Sequence, residues 1–413
     1  MARLRAFVFV TACVTRLAAG LAFGNLRHPE VFEYDDMARA LVAGKGTTFR
    51  HLHVVYHSFA PPLYAWLSAA SYWSSKSILP LMLLQILAGS ALAVVVAEIA
   101  RRIFGGWIAP LSAGLLVAFH PGLIIYCVAK AHPLTFDALF FSLSVFQALR
   151  LRAETTVRRA IEFGAIVGLG SLCRATLIIF LPLAALWLLL VLPQPSLKSA
   201  VRAVVIAGLC TTALIAPWSI RTSLLHHRFV FMLTTDSEDF WRGNHLNARG
   251  STYIGPGTVE LDTLSTEEYS ELSNQPDEIA QADWFSFRSR SFIREHKSEF
   301  VRLIAVKLFY FWWMGPQTGV LYPGVWLRLY MIYYIIELCL AIFGIWSIWK
   351  LGRPAKQNLW LIVSFLFALS LLQSLYYVEG RHRWAVEPIL IAISGGGVAL
   401  WIQRHRQTLK LSV

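Results

Sequence analysis

Three carboxylates stand close together near the start of the chain: Glu33, Asp35 and Asp36, in the run FEYDD. Tyr34, Met37, Ala38, Leu41 and Val42 recur at helical spacing around them and make an apolar face, which Gly44 or Gly46 could end. Glu33 and Asp36 are one helical turn apart. A helix of this kind lying in a membrane interface offers carboxylates at the surface, where a general base could act on a substrate. A solvated polar face on an amphipathic helix fits the same spacing. Three sites further along carry cations at the edges of apolar runs: Arg174, Arg221, and Arg381 with Arg383. Charge at a membrane edge is costly, so each either serves a ligand or snorkels to head groups. His51, His53 and His57 give H-x-H-x3-H, but loose loop histidines rarely hold an ion, and no metal or other cofactor is expected.

The elements that must position these residues are apolar. Of 413 residues, 56% are hydrophobic and only 15% charged, and mean hydropathy is +0.55. A soluble domain would carry about 25% charge. The fold class expected is therefore an all-α polytopic membrane protein. Ten spans are predicted, near 6–23, 78–97, 107–127, 133–149, 160–173, 175–192, 200–218, 325–349, 359–376 and 384–402, from the need for about 20 apolar residues each. The net charge of +13 then finds its place in the loops rather than implying a nucleic-acid partner. With the N-terminus inside, six short inner segments, among them 150–159 and 193–202, carry 16 Lys and Arg against one acid, Glu154. The outer segments 25–60 and 219–307 carry 14 bases against 17 acids. That asymmetry sets orientation and puts both termini in the cytoplasm.

The aromatic stretches 60–75 and 308–314 break this parity and suit interfacial helices. The start, MARLRAFVFV, is read as an uncleaved first span, because Arg16 interrupts the apolar run and no clean cleavage site follows. Asp137 and Glu337 fall within spans and are expected to pair with polar neighbours. The five cysteines are read as small core residues, with neither a disulfide framework nor a zinc site. The polar block 234–300 is expected to hold one or two short helices in 265–299. Three regions result: a membrane module 1–218 with its first outer loop 25–77, an outer loop region 219–324, and a second membrane module 325–413.

FEYDDMARALVAGKG followed by SFAPPLYAWLSAASYWSS resembles the start of the GT-C membrane glycosyltransferases, in the branch of dolichyl-phosphate-mannose protein mannosyltransferases and bacterial aminoarabinose transferases. Ala38, Leu41, Gly44, Gly46, Pro62, Leu63 and Tyr64 carry the match. APWSIRT at 216–222, FWRGNHLNARG at 240–250 and VEGRHRWAVEPIL at 378–390 extend it.

The resemblance implies a polyprenyl-phosphate sugar donor and inverting transfer at the outer face of a bacterial inner membrane, to a lipid, glycan or protein acceptor. It also implies that an acid after the first span is the base: Asp36, Glu33 or Asp35. Polyprenyl phosphate leaves with its charge at a poorly solvated surface, which cations there would stabilise. Arg381, Arg383, Arg174 and Arg221 are the candidates. Trp241 and Asn244, with Tyr64 and His382, are candidate sugar or acceptor contacts, although Trp241 and Asn244 could equally serve only to order their loop. Two other functions fit ten spans: a polymerase or ligase of polyprenyl-linked glycans, and a transporter or flippase for lipid or amphipathic solutes. Against the transporter, no two-fold repeat is visible and the charges gather at one face.

Overall fold

A computed structural model describes residues 1–191, 197–255, 258–314 and 324–411. Of the inner segment 193–202, residues 193–196 lie outside these. The first half runs α1 (Ala2–Phe23), α2 (Glu33–Val42), α3 (Pro62–Ser75), α4 (Leu79–Phe104), α5 (Ile108–Ala118), α6 (Pro121–Val128), α7 (Leu134–Ala153), α8 (Val157–Cys173), α9 (Phe180–Val191) and α10 (Leu197–Leu225). The polar block forms α11 (Asp236–Arg242), α12 (Thr266–Ser273) and α13 (Glu278–Glu295), and α14 (Lys297–Trp312) follows. The chain ends in α15 (Gly324–Lys350), α16 (Arg353–Leu375), α17 (Gly380–Trp384) and α18 (Glu387–Leu411). The fold is all-α and polytopic, as the composition requires.

Among the described residues, six helices are long and apolar enough to cross a membrane: α1, α4, α7, α10, α15 and α16. A seventh span results if α5 and α6, bent by 50°, count as one. The remaining expected spans, at 160–173, 175–192 and 384–402, are largely helical over their described residues (residue 192 lies outside these) but fall outside that count. The stretch 60–75 is helix α3, and 308–314 begins as the last turns of α14.

Two packing details explain the bundle. Pro121 cannot continue α5, and His120 caps α6 by accepting from the Leu123 N–H at 3.1 Å. The break leaves carbonyls at the end of α5 without helical partners. Arg16, fully buried in α1, donates to the carbonyls of Val117 and Ala118 at 3.3 and 3.5 Å. Gly89 makes room for it, since a Cβ there would lie 2.6 Å from Arg16 Nε. The charge that interrupts the first span thus mends the broken helix beside it. Helices α15 and α18 approach closely because Gly344 and Gly397 press against backbone carbonyls of Ile393 and Leu340.

The first loop is anchored by a two-residue parallel pairing, Glu30–Val31 with Lys130–Ala131. Helix α2 buries Tyr34, Met37 and Ala38 as the spacing predicts, whereas Val42 at its end is exposed and leaves the expected face, and Gly44 follows at φ +74°. Of the cysteines, Cys127 and Cys173 are buried, whereas Cys339 is exposed on α15 and is not a core residue. All five are free thiols.

Candidate functional site

A cavity of about 410 Å³ opens at one end of the bundle. Its walls come from α2, the loop into α3, the start of α7, the junction after α8, α11, and the connection from α16 to α17. Local sequence explains why side chains converge here. Arg174 is extended, with φ −142° and ψ 109°, so α8 stops at Cys173 and the chain turns through a short 3₁₀ segment, Ala175–Ile179. Glu379 is likewise extended before α17.

The charges in the cavity are sorted into pairs. Arg174 meets Asp137 at 3.3 Å, Arg242 meets Glu238 at 2.6 Å, and Arg381 meets Glu379 at 2.7 Å. Arg242 also binds Glu260, and His51 lies 3.0 Å from Glu238. Each arginine on the wall therefore already has a carboxylate. Three more acids line the same space, Glu33, Asp236 and Asp239, and among the described residues none of them makes an ion pair.

The electrostatics follow. Burial raises the Glu33 carboxyl above its ordinary range, against the pull of Arg381 and Arg242. Burial raises Asp239 to about 7, again against Arg242. Burial opposes ionisation of Glu238 as well, yet Arg242 and His51 hold it down to about 2. His132 and His382 stay neutral through burial and the nearby arginines. The cavity thus holds oriented guanidinium groups beside carboxylates that can take up a proton, which is what transfer of a group from a phosphate to a hydroxyl requires.

Residues 60–220, about two-fifths of the chain, match the family model described as dolichyl-phosphate-mannose-protein mannosyltransferase. No curated protein sequence matches it. Among solved structures, the archaeal oligosaccharyltransferase AglB from Archaeoglobus fulgidus, in complex with an inhibitory peptide and a dolichol-phosphate, is similar over 99% of this chain and 52% of its own. The TM-score is 0.56 and the identity 12%. The apo form of the Archaeoglobus fulgidus enzyme gives 0.54, again at 12% identity, over 99% of this chain and 51% of its own. ArnT from Cupriavidus metallidurans bound to undecaprenyl phosphate gives 0.46 at 15% identity, over 96% of this chain and 77% of its own. The fold is that of the archaeal oligosaccharyltransferase. The chain spans about half the length of the archaeal enzyme. The resemblance read from FEYDD and the motifs after it is borne out at the level of fold.

Within this fold the sequence-predicted residues separate. Glu33, Arg174, Arg381 and His382 line the cavity. Asp36 is exposed and lies off the wall. Asp35 is buried and committed to Arg39 at 2.7 Å and to the Tyr72 hydroxyl. Tyr64 is buried under Tyr34, its hydroxyl donating to Gln85 at 2.6 Å. Arg221 fastens the first loop by donating to the His57 carbonyl at 2.9 Å, with its guanidinium 4.7 Å above the Trp218 ring. Arg383 is 1% exposed and donates to Tyr330 and the Phe311 carbonyl. Trp241 is buried against His245 and Phe285, and Asn244 donates to the carbonyls of Phe240 and Leu375. Both order the loop and neither reaches the cavity. Sequence reasoning passed over Asp239, Glu238 and Arg242, although Arg242 is in the motif FWRGNHLNARG and the two acids stand just before it. The i, i+4 spacing of Glu238 and Arg242 was the available signal.

Asp137 finds its expected partner in Arg174. Glu337 has no basic partner: it is buried against the Glu387 carboxyl, and no nitrogen or hydroxyl donor reaches its oxygens. It sits with His120 and Glu387, the one cluster among the described residues whose ligand atoms lie close enough for a metal, within 4.8 Å. The hydrogen bonds argue otherwise. His120 Nδ1 accepts from Leu123, so the ring proton is on Nε2, which donates to Glu387 at 3.0 Å. A metal would need that nitrogen's lone pair.

Proposed function

We propose that this protein is a membrane glycosyltransferase that moves a sugar from a polyprenyl-phosphate donor to a hydroxyl on a lipid, glycan or protein acceptor. The active site is the cavity, on the outer face of a bacterial inner membrane, with both termini in the cytoplasm. The observation that carries this reading is the wall of paired arginines facing an unpaired Glu33.

Arg174 and Arg381 bind the donor phosphate. Each guanidinium has five N–H donors, and its carboxylate partner uses only part of them while fixing its orientation. Glu33 is the base. It takes the proton of the acceptor hydroxyl as that oxygen bonds to the sugar C1 from the face opposite the phosphate. The bond from C1 to the phosphate oxygen breaks, its electron pair leaves with the polyprenyl phosphate, and the two arginines take up the added charge. Configuration at C1 inverts. Asp36 has no part in this because it lies in solvent.

The test is transfer of labelled sugar from polyprenyl-phosphate sugars in membranes containing wild type, Glu33→Gln or Asp36→Asn. The expected result is turnover by wild type and Asp36→Asn, with Glu33→Gln inactive but still binding donor. Full activity in Glu33→Gln would remove the base assignment. A wild type that transfers no sugar but moves lipid between leaflets would replace the enzyme with a flippase.

A further inference from the structure

The unpaired acids of the cavity stand on different walls. Glu33 lies on α2 in the field of Arg381, Arg242 and His51. Asp239 lies on α11 near Arg242, Glu238, Arg174 and Asp236, and it is close enough to act on the Tyr376 phenol at the end of α16. Asp239 and Tyr376 both line the cavity.

Their relative position is fixed from behind. Phe240 meets the Tyr376 ring edge-on, with centroids 5.6 Å apart. Asn244 donates to the Phe240 carbonyl at 2.7 Å and to the Leu375 carbonyl at 2.6 Å, joining the end of α11 to the end of α16. Gly243 presses on the Tyr376 carbonyl so closely that no Cβ would fit. Lys307 of α14, fully buried, donates to the Gly243 carbonyl and to Asn244 Oδ1. Four elements of contact thus hold a seven-residue helix whose front presents a carboxylate with no cation of its own. Such bracing is out of proportion for a solvated surface turn.

A fixed carboxylate beside an aromatic side chain suits one ligand class. Vicinal ring hydroxyls donate to the two carboxylate oxygens, and the apolar face of a pyranose or furanose lies on an aromatic ring. We propose that Asp239 and Tyr376 form the subsite for the transferred sugar, leaving Arg174 and Arg381 to the phosphate and Glu33 to the acceptor hydroxyl. This rests on the glycosyl-transfer reading and adds to it where the donor's sugar sits. The motif FWRGN contributes through its backing role: Trp241 and Asn244 hold the helix that carries Asp239.

The test compares binding of bare polyprenyl phosphate with that of a panel of polyprenyl-phosphate hexoses and pentoses, for wild type, Asp239→Asn and Tyr376→Leu. Turnover against pH is measured with the sugar lipid that wild type binds best. Wild type is expected to bind one sugar lipid more tightly than bare lipid phosphate. Each variant is expected to lose that preference by about 10-fold or more, with bare-lipid binding within about twofold and an unchanged melting temperature for the near-isosteric Asp239→Asn. KM rises, and the pH dependence of kcat stays that of wild type. If Asp239→Asn instead abolished kcat at unchanged KM and moved the pH profile, Asp239 would be the proton acceptor and the subsite assignment would fall. Equal loss of bare-lipid binding would also overturn it, by making α11 part of the phosphate site. A wild type that bound bare and sugar-bearing lipid alike would have no sugar subsite. A wild type that bound neither would remove the glycosyl-transfer reading along with it.

Discussion

The Lys307 ammonium lies 2.9 Å from the Asn244 side-chain oxygen and 3.1 Å from the Gly243 carbonyl, so a fully buried cation is held by neutral acceptors. Desolvation without a counter-charge lowers its pKa to about 7. The bond matters because Asn244 is the piece that joins α11 to the end of α16. A helix of seven residues has too few internal hydrogen bonds to stand alone, so its orientation is set by this joint.

Stability should therefore depend on pH in a definite direction. An unfolded lysine titrates near 10.4, so between about pH 7 and 10 the unfolded chain binds the extra proton. Wild-type stability rises with pH across that window, and Lys307→Met loses this slope. Thermal unfolding in detergent micelles at several pH values checks it. The substitution also removes two hydrogen bonds, costing about 1–3 kcal/mol at the upper end of the window.

The first-loop acids should behave very differently from one another although they lie within four residues. Glu33→Gln is expected to lower kcat by about 10²–10⁴-fold, the usual contribution of a general base. Because burial raises the Glu33 carboxyl, wild-type activity should climb with pH through a value above the ordinary carboxylate range of about 4.3. Asp36→Asn, at an exposed position, should stay within about twofold of wild type. Initial rates from pH 4 to 8 distinguish the three proteins, and an acid limb unchanged in Glu33→Gln would count against the assignment.

How much of this was legible beforehand can be seen in the same stretch. The helix 33–42, its apolar face and its glycine exit all follow from spacing, because a one-turn periodicity is a local property. Which carboxylate faces the cavity does not, because Asp35 is taken by Tyr72, 37 residues away, and no local pattern announces that bond. Arg381 and Arg383 show the same limit. They differ by two positions, so a helical turn points them apart, and only the packing of α15 behind α17 decides which one is buried. The count of spans meets a different limit. Hydropathy marks apolar helices well, but it cannot tell a helix that crosses a bilayer from one shortened by a break, such as the pair on either side of His120. The pairing of Arg174 was invisible for a third reason: its partner Asp137 comes from a different helix.

Arg381 and Arg383 provide a paired test. Arg381→Ala should raise the KM for donor about 10–100-fold, the scale of a lost charge-assisted contact, with little change in melting temperature. Arg383→Ala should be hard to fold. Its guanidinium is sealed against Tyr330 and Tyr334 and within 3.4 Å of Glu387, so truncation strands a buried carboxylate at a cost of about 3–5 kcal/mol. Comparing donor KM with thermal stability separates the two; if Arg381→Ala lost stability as Arg383→Ala does, its phosphate role would be withdrawn.

The cluster behind Arg383 gives the last prediction. Glu387 is fully engaged, accepting from His120 Nε2 at 3.0 Å and from the Tyr330 hydroxyl at 2.8 Å, with Arg383 alongside. Glu337 is as deeply buried but has only the Glu387 carboxyl beside it, with no nitrogen or hydroxyl donor on either oxygen, and it adds a second carboxyl to a group already neutralised by one arginine. Exchange of the first acid should therefore damage the protein and exchange of the second should not. Glu387→Gln leaves Arg383 uncompensated and is expected to cost about 3–5 kcal/mol, while Glu337→Gln stays within about 1 kcal/mol of wild type or gains stability. A metal held here would reverse the pattern for Glu337, because losing a ligand would lose the ion's binding energy, and added Zn²⁺ would raise the wild-type melting temperature. With the His120 proton on Nε2, neither is expected: the melting temperature should be the same with Zn²⁺ or with chelator.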